Sequence, residues 1–339
     1  MLTYITTLGL ILSQTGFATA TQLGAQSHAE SLNKQTINIP ANAPKFVNDA
    51  PVIGVVSQYL NQAMRDDDRY NDYSTYMRKA YVNYLSASGA RVIPILFNTT
   101  SDDRELAKID KVQGVFFCGG AATRTVYEDF GKKVFEKVKT LNDKGKIVPI
   151  WGTCLGFENL AMFVSDTPDT LLENFDSRND LYNLEFQVDP TSTKMFGSMG
   201  SQAYIYEQNP ILFNYHIWGI SPATFQNDKK LNDFYTVTST SVDNGGKVFA
   251  NTIEAKNYPF FGTQFHPEGP LNNNVDYAID RSLFSIQNNR YFGDFFVNQC
   301  RLSNNDRFTW EEYVQLAVEN YDLIVSADSS VTDIVFRRV

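Results

Sequence analysis

The sequence predicts an α/β fold with three layers, in which helices cover both faces of a mostly parallel central sheet. Short apolar runs alternate with longer amphipathic runs over the first half of the 339-residue chain, and this alternation is typical of parallel strands joined by right-handed helical crossovers. Hydrophobic residues make up 43% of the chain and charged residues 20%, which is ordinary for a protein with a large apolar core.

The first half of the chain contains the most regular elements. Apolar and aromatic residues recur at steps of three and four between residues 73 and 84, and Gly89 ends this helical pattern,. Runs rich in Val, Ile and Phe, bounded by Gly or Pro, indicate buried strands between the helices. We predict strands over residues 51–56, 91–96, 114–117 and 146–151, and helices over residues 74–88, 102–108 and 126–141.

The second half predicts antiparallel strands added to the parallel sheet. Short β-like runs at residues 184–188, 235–237 and 258–262 are separated by Asn, Asp and Gly, which is typical of strands joined by turns. We predict a long helix over residues 276–297. Residues 310–337 predict a further helix and a terminal strand at 331–336.

The N-terminal segment resembles a secretory signal. Residues 5–12 are mostly apolar but too few to span a bilayer, and Ala18-Thr19-Ala20 supplies the small residues of a cleavage site,. We predict a signal peptide at 1–20, a flexible leader at 21–48 and a single domain at 49–339. This predicts a secreted or lysosomal/vacuolar protein with no membrane segment after processing; a frayed apolar N-terminus is the alternative.

Charge and composition exclude several classes of partner. The formal net charge of −9 opposes nucleic-acid binding, because phosphate recognition needs a basic surface,. The three histidines are far apart in sequence and have no Cys or His neighbour at ligand spacing, so we predict no metal site and no cofactor,.

Three cysteines leave at least one thiol unpaired, and the sequence does not decide whether Cys118 and Cys300 form a disulfide,. Asn98 begins a glycosylation sequon,.

A predicted strand, a Gly-x-Cys-x-Gly turn and an apolar helical run meet at Cys154. This arrangement is typical of a nucleophile elbow, in which a strained turn exposes the nucleophile at the carboxyl edge of the sheet. The partial positive charge at the N-terminus of the helix favours the reactive thiolate. The alternative is a structural role, because free Cys is often a small buried hydrophobe.

A candidate base follows the strand predicted at residues 258–262. His266 lies in the segment His-Pro-Glu, and Glu268 is near enough in sequence to accept the Nδ1 proton and leave Nε2 facing the thiol,. We therefore predict a Cys-His-Glu triad of Cys154, His266 and Glu268. The alternative for a single histidine is a satisfied core or surface residue.

The elbow and the His-Pro-Glu segment together resemble the class I glutamine amidotransferase superfamily. The string Pro-Ile-Trp-Gly-Thr-Cys-Leu-Gly-Phe-Glu at 149–158 is similar to the γ-glutamyl hydrolase branch in particular, as are the segments at 51–58, 81–85, 89–94 and 214–218. This resemblance implies a flavodoxin-like three-layer fold.

The resemblance also implies a mechanism and a set of site residues. It makes Cys154 the nucleophile that attacks a γ-glutamyl carbonyl, His266 the general acid and base, and Glu268 the residue that orients His266. It implies that backbone N–H groups of Leu155 and Gly120 hold the oxyanion. Three further residues would contact the substrate: Glu158, His216 and Gly119.

The substrates implied by the resemblance are folyl and antifolate poly-γ-glutamates, and homodimers are common among such proteins. Polyglutamates are polyanions, so we expect a local cluster of Lys or Arg near the cleft of this acidic chain,. Two alternatives stay open: a glutaminase that acts on free glutamine, and a non-catalytic storage or binding homologue. The signal segment and the complete triad favour the hydrolase.

Overall fold

The computed structural model describes residues 48–97, 101–121, 126–272, 277–326 and 331–337. These residues fall within one compact unit, Phe46–Val339. The predicted signal peptide, all of the predicted leader except residue 48, and Asn98 lie outside the described residues. No helix in the described ranges is both long and apolar enough to cross a membrane.

The central sheet is parallel on one side and antiparallel on the other. Its strands are β1 (Val52–Val56), β4 (Arg91–Ile95), β5 (Gly114–Phe117), β6 (Ile150–Thr153), β8 (Glu185–Phe186), β10 (Tyr235–Val242), β11 (Val248–Ala255) and β12 (Phe260–Thr263). Their order in the described chain is β4-β1-β5-β6-β12-β11-β10-β8, and the pairs from β4 to β12 are parallel while the remaining three pairs are antiparallel.

Two smaller antiparallel sheets lie beside the central sheet. Their strands are β2 (Gln58–Tyr59), β3 (Tyr73–Arg78), β7 (Glu173–Tyr182), β9 (Leu212–Gly219), β13 (Asp322–Val325) and β14 (Thr332–Arg337). One sheet has the order β13-β14-β3-β2, and the other pairs β7 with β9. The sequence did not predict β2, β3, β7, β9, β11 or β13.

The helices are α1 (Gln62–Arg65), α2 (Lys79–Ala87), α3 (Asp102–Ala107), α4 (Val126–Asp143), α5 (Leu155–Val164), α6 (Pro168–Leu171), α7 (Ile205–Gln208), α8 (Pro222–Asn227), α9 (Lys229–Phe234), α10 (Gly269–Asn272), α11 (Leu283–Arg301) and α12 (Trp310–Leu316). Short 3₁₀ turns occur at Asp68–Tyr70, Lys108–Asp110, Pro190–Ser192, Gly197–Tyr204 and Val318–Asn320.

Two apolar cores lie on opposite faces of the central sheet. Alternate residues of β1 face opposite sides, so that Val52 and Val56 join one core while Ile53 and Val55 join the other, as expected for the period of two in a strand. Helices α4 and α5 contribute to the first core, and helices α2 and α11 to the second. The predicted three-layer α/β class is therefore confirmed.

Three predicted elements begin several residues too early in the sequence prediction. Residues 73–78 form β3 rather than the first half of a helix, and only Lys79–Ala87 is helical. Pairing with β2 and β14 overrides the helical spacing of the aromatic residues, because strand formation depends on partners distant in sequence. The strand predicted at 146–151 is Ile150–Thr153, and the helix predicted from residue 276 begins at Leu283.

The carboxyl ends of three neighbouring parallel strands meet at one edge of the sheet. Gly119 follows β5, Cys154 follows β6 and His266 follows β12. Ligand sites of open α/β sheets lie in the crevice at this edge. The fold thus brings together residues that are up to 147 positions apart in the chain, from Gly119 to His266.

Candidate active site

Cys154 occupies the strained turn between β6 and α5. Its backbone has φ 52° and ψ −110°, a region that residues other than Gly rarely adopt. Its N–H donates to the carbonyl oxygen of Thr263 at 2.8 Å, which ties the turn to the end of β12. The side chain is 5% exposed and lines the cleft at the edge of the sheet. The predicted nucleophile elbow is present in the backbone geometry.

Both glycines of the elbow are required by close backbone contacts. A Cβ built on Gly152 would lie 2.8 Å from the backbone nitrogen of Phe157, in the first turn of α5. A Cβ built on Gly156 would overlap the carbonyl oxygen of Phe117 on β5. The two glycines of Gly-x-Cys-x-Gly therefore allow the first turn of α5 to pack directly against the sheet, because neither position has space for a side chain.

His266 and Glu268 form the second half of the site. The Nδ1 atom of His266 lies 2.8 Å from Oε1 of Glu268, and the Glu268 side chain is only 3% exposed. A Cβ built on Gly119 would lie 2.9 Å from Cε1 of His266 and 3.2 Å from Cβ of Cys154. The imidazole of His266, the side chain of Cys154 and Gly119 are therefore immediate neighbours.

The charges around His266 favour its protonated form. Burial alone would lower the pKa of His266, but the charges of Glu268 and Cys154, and hydrogen bonds to both, raise this pKa well above its usual value. An imidazolium held between a carboxylate and a thiolate is the arrangement in which a cysteine nucleophile is kept ionised.

Tyr81 is a site residue that the sequence pattern did not reveal. Its hydroxyl lies 3.4 Å from Nδ1 of His266 and accepts a hydrogen bond of 3.0 Å from the N–H of Gly119. Burial, followed by the charge of Glu268, raises the pKa of Tyr81 well above its usual value. In the sequence Tyr81 looks like one more aromatic residue on a helix, so only the fold identifies its contacts.

The loop after β5 supplies a candidate oxyanion donor. The N–H of Gly119 already donates a hydrogen bond to the hydroxyl of Tyr81. The N–H of Gly120 donates to no described residue, so it is the candidate donor of this loop. Gln58 fixes this loop, since its Nε2 donates to the carbonyl oxygens of Cys118 and Gly119, each at 3.1 Å. Leu155 begins α5, and the first N–H groups of a helix have no partner within the helix,.

The cleft has a volume of about 280 Å³. Three aromatic side chains line one wall: Tyr215 stacks on Tyr277 with ring centres 4.9 Å apart, and Phe213 stacks on Tyr277 at 6.0 Å. Tyr215 is 38% exposed and Tyr277 is 41% exposed. The remaining described lining residues are Asn61, Tyr76, Arg78, Ala80, Tyr81, Gly119, Gly120, Ala121, Cys154, His266, Glu268 and Val331.

The structure does not place His216 and Glu158 among the described residues that line the cleft. His216 is buried on β9, where its Nδ1 lies 2.7 Å from the carbonyl oxygen of Trp218. Burial lowers the pKa of His216 to about 3, so the ring is neutral. Glu158 is buried on α5 and accepts a hydrogen bond of 3.0 Å from Nε2 of Gln264. The predicted contacts of both residues with substrate therefore have no support in the cleft geometry.

Glu158 makes the stability of the fold depend on pH. Burial raises the pKa of Glu158 from 4.5 to about 7, against the opposing hydrogen bond from Gln264 and the charge of His266. Because the pKa is higher in the folded state, the folded protein keeps a proton that the unfolded chain releases. Glu158 therefore lowers the free energy of unfolding as the pH rises between these two values, and the loss is complete above pH 7,.

We expect the substitution Glu158→Gln to remove this pH dependence. Relative to the original chain, the variant should gain a few kcal/mol of stability between pH 4.5 and pH 7, since each pKa unit corresponds to about 1.4 kcal/mol. Denaturant unfolding at both ends of the range measures the difference. The exposed Glu185 provides a control, because Glu185→Gln should leave the pH profile unchanged. Equal pH profiles for Glu158→Gln and the original chain would refute the assignment.

The three cysteines Cys118, Cys154 and Cys300 are free thiols. The disulfide left open by the sequence therefore does not form between Cys118 and Cys300. Burial raises the pKa of both these thiols well above the usual value, which makes them unreactive. Within the described ranges, no group of three His, Cys, Asp or Glu side chains is arranged to hold a metal ion.

The fold and the site together define a class of protein, a class I amidotransferase-type enzyme with a Cys-His-Glu arrangement. The chain matches the family "Glutamine amidotransferase class-I" over residues 71–285. This match includes the nucleophile elbow and the His-Pro-Glu segment.

Similarity to curated proteins identifies the family within this class more specifically. The chain is 33% identical to γ-glutamyl hydrolase B of Dictyostelium discoideum, over 81% of this chain and 79% of the relative. It is 32% identical to γ-glutamyl hydrolase 1 of Arabidopsis thaliana, over 76% and 74% of the two chains. It is 32% identical to γ-glutamyl hydrolase of Homo sapiens, over 79% and 83%. The chain therefore belongs to the γ-glutamyl hydrolase family. The family resemblance of residues 149–158 and the prediction of a hydrolase are confirmed.

Proposed function

We propose that the chain hydrolyses γ-glutamyl amide bonds in folyl and antifolate poly-γ-glutamates through a thioester on Cys154. One observation carries the chemical part of this proposal: the strained elbow presents Cys154 beside His266, whose Nδ1 is held by Glu268 at 2.8 Å. A thiol, an imidazole and an orienting carboxylate in this order are the parts of a nucleophilic acyl-transfer site.

In the acylation step, the sulfur of Cys154 forms a bond to the γ-carbonyl carbon and the C–N bond to the leaving amine breaks. His266 is protonated when the thiol is ionised, and its imidazolium donates the proton that the leaving amine requires. The products of this step are a free amine and a γ-glutamyl thioester on Cys154. Glu268 is a positioning residue, because it contacts the imidazole and not the reacting atoms.

In the deacylation step, the now neutral His266 accepts a proton from water as the water oxygen attacks the thioester carbonyl. The C–S bond then breaks, and Cys154 and His266 regain their starting ionisation. The released γ-carboxylic acid gives its remaining proton to the solvent and becomes a carboxylate. The backbone N–H groups of Leu155 and Gly120 are the donors we assign to the oxyanion in both steps. Each such donor typically contributes about 3 kcal/mol to stabilising the transition state.

The aromatic wall of Phe213, Tyr215 and Tyr277 supports a substrate with an aryl group. A pteroyl group is planar and aromatic, and stacked rings that are partly exposed offer it a matching face. Free glutamine has no group that would use this wall. The wall therefore favours folyl poly-γ-glutamates over free glutamine, the substrate of the glutaminase alternative.

We expect the protein to cleave pteroyl tri-γ-glutamate with a kcat/KM at least roughly a hundredfold above that for free glutamine, because only the former uses the wall. Mass spectrometry of the products gives the bond that is cut, and ammonia release gives the glutaminase rate. Tyr215→Ala should lower kcat/KM for the pteroyl substrate and leave that for tri-γ-glutamate without a pteroyl group unchanged.

Tyr204→Ala is the matched control, since Tyr204 is equally exposed at 37% but does not line the cleft. Its kinetics should match those of the original chain with both substrates. Faster hydrolysis of free glutamine than of the pteroyl substrate would contradict the proposed substrate class.

We also infer that the protein enters the secretory pathway and acts in a secreted or lysosomal/vacuolar location. The apolar run at 5–12 and the small residues Ala18-Thr19-Ala20 support this inference,.

A further inference from the structure

Arg78 is the only Lys or Arg among the described residues that line the cleft. It is the last residue of β3 and directly precedes α2. Its side chain is 31% exposed, and the guanidinium lies over the ring of Tyr76 with its carbon 5.6 Å from the ring centre. The cluster of cations expected from the sequence is thus a single, partly open guanidinium within the described lining.

Asp333 on the C-terminal strand holds Arg78 in place. It faces Arg78 in the register of β14 and β3, and its two carboxylate oxygens lie 2.9 and 3.2 Å from Nη1 of Arg78. The hydroxyl of Tyr70 donates a further hydrogen bond to Asp333 at 2.8 Å. The Asp333 side chain is 1% exposed, so it is an internal support that a ligand in the cleft does not reach.

This support leaves donors on Arg78 for a ligand. Both contacts with Asp333 use Nη1, and no described residue bonds to Nε or Nη2. An arginine presents five N–H donors in a planar fork, and the edge formed by Nε and Nη2 matches the two oxygens of a carboxylate. Fixing the guanidinium in advance reduces the entropy lost when a ligand binds.

We propose that Arg78, positioned by Asp333, binds an α-carboxylate that flanks the scissile γ-glutamyl bond. This inference rests on the proposed function, because it names the part of the same substrate that one wall of the cleft recognises. Each γ-linked glutamate carries one free α-carboxylate, and Arg78 lines the same cavity of about 280 Å³ as Cys154 and His266. Asp333 contacts Arg78 from the C-terminal strand β14, outside residues 71–285 that match the glutamine amidotransferase class-I family.

The pair with Asp333 determines how Arg78 acts. Because the carboxylate of Asp333 offsets the charge of the guanidinium, the pair attracts distant anions weakly. Its contribution is a short-range, directional contact with a carboxylate already in the cleft. Discrimination between a carboxylate and a neutral carboxamide of the same shape is therefore the property to measure.

The experiment compares pteroyl di-γ-glutamate with two analogues, in each of which one of the α-carboxylates flanking the scissile bond is a carboxamide. For the original chain, one analogue should show a kcat/KM roughly ten- to a hundredfold below that of the parent compound, the usual effect of losing a charge-assisted hydrogen bond. In Arg78→Gln this difference should disappear, mainly through a higher KM for the parent compound. Arg78→Lys should retain part of it, because the charge remains but the fork is lost.

Arg337→Gln is the matched control. Arg337 lies on β14, the same strand as Asp333, and forms ion pairs with Asp72 and Asp322, but it does not line the cleft. This variant should discriminate between the carboxylate and the carboxamide as well as the original chain does. An Arg78→Gln variant that still discriminates would overturn the proposal and assign Arg78 to fold stability alone.

Binding to an inactive protein separates this proposal from the proposed function. Titration calorimetry with Cys154→Ala, with and without Arg78→Gln, measures the affinity for the parent compound without turnover, and thermal unfolding shows whether each variant is folded. We expect the double variant to be folded and to bind roughly ten- to a hundredfold more weakly. Equal affinities overturn the role of Arg78. An original chain that cuts neither the parent compound nor its analogues overturns the proposed function instead.

Discussion

Replacing Cys154 by alanine is expected to abolish hydrolysis of pteroyl poly-γ-glutamates, with kcat lower by roughly a thousandfold or more. The substitution removes the side-chain atom that attacks the γ-carbonyl carbon in the proposed acylation step, so no thioester can form. The folded state should survive, because the alanine side chain is smaller and the elbow is supported by the N–H of Cys154 and the carbonyl oxygen of Thr263. Steady-state kinetics and thermal unfolding measure the two effects separately.

The other two thiols provide the controls for this prediction. Cys300 is fully buried and Cys118 is buried beside the cleft, and both have a raised pKa. Cys300→Ala should keep kcat close to the original value while losing some stability to the cavity it creates. A single equivalent of an alkylating reagent should modify Cys154 before either of the others. Full activity in Cys154→Ala would refute the thioester route.

The elbow could be predicted from sequence because its determinants are local. The end of a strand, two glycines around a cysteine and the start of an apolar helix lie within nine residues, and each has a direct steric reason. Gly152 and Gly156 lie against backbone atoms that leave no space for a Cβ. The pair of His266 and Glu268 is predictable for the same reason, since only Pro267 lies between them in the chain.

Features built from distant segments could not be predicted in this way. The contact between Arg78 and Asp333 requires β3 and β14 to pair across 255 positions. The aromatic residues of this segment also have the spacing of a helix. The sequence therefore predicts a helix where the structure has β3, the strand that presents Arg78 to the cleft. Strand pairing that is decided by tertiary contacts leaves a weak signal in a single sequence.

Glu158 and His216 show that a family resemblance does not predict whether a side chain is exposed to the cleft. The family resemblance implied that both residues contact the substrate, but each side chain is enclosed by protein. Glu158 bonds to Gln264, and His216 lies edge-on to the ring of Phe249, with ring centres 4.9 Å apart. The sequence gives the residue type at such a position, whereas burial and orientation depend on how β9 and α5 pack in the complete fold.

The packing of α5 against β5 leads to the second prediction of large effect, which concerns stability. Residues 155–163 of α5 are all buried, so the helix has no exposed side toward which it can move. Its closest approach to the sheet is at Gly156, where the backbone of Phe117 occupies the place of a side chain. The position of Cys154 at the start of α5 therefore depends on this contact.

We expect Gly156→Ala to lower the free energy of unfolding by about 3 kcal/mol or more, as overpacking against rigid backbone does. The new methyl group would force α5 away from β5 and displace Cys154 from His266, so the folded fraction should also lose activity.

Gly145→Ala is the matched control. It adds the same methyl group at φ 83° with no atom within 4 Å, and backbone strain alone should lower the free energy of unfolding by about 1 kcal/mol. Denaturant unfolding of both variants, with kcat measured on the folded protein, checks the prediction. A Gly156→Ala variant as stable and active as Gly145→Ala would show that α5 can shift to accept the methyl group. It would also show that Gly156 does not determine the position of Cys154.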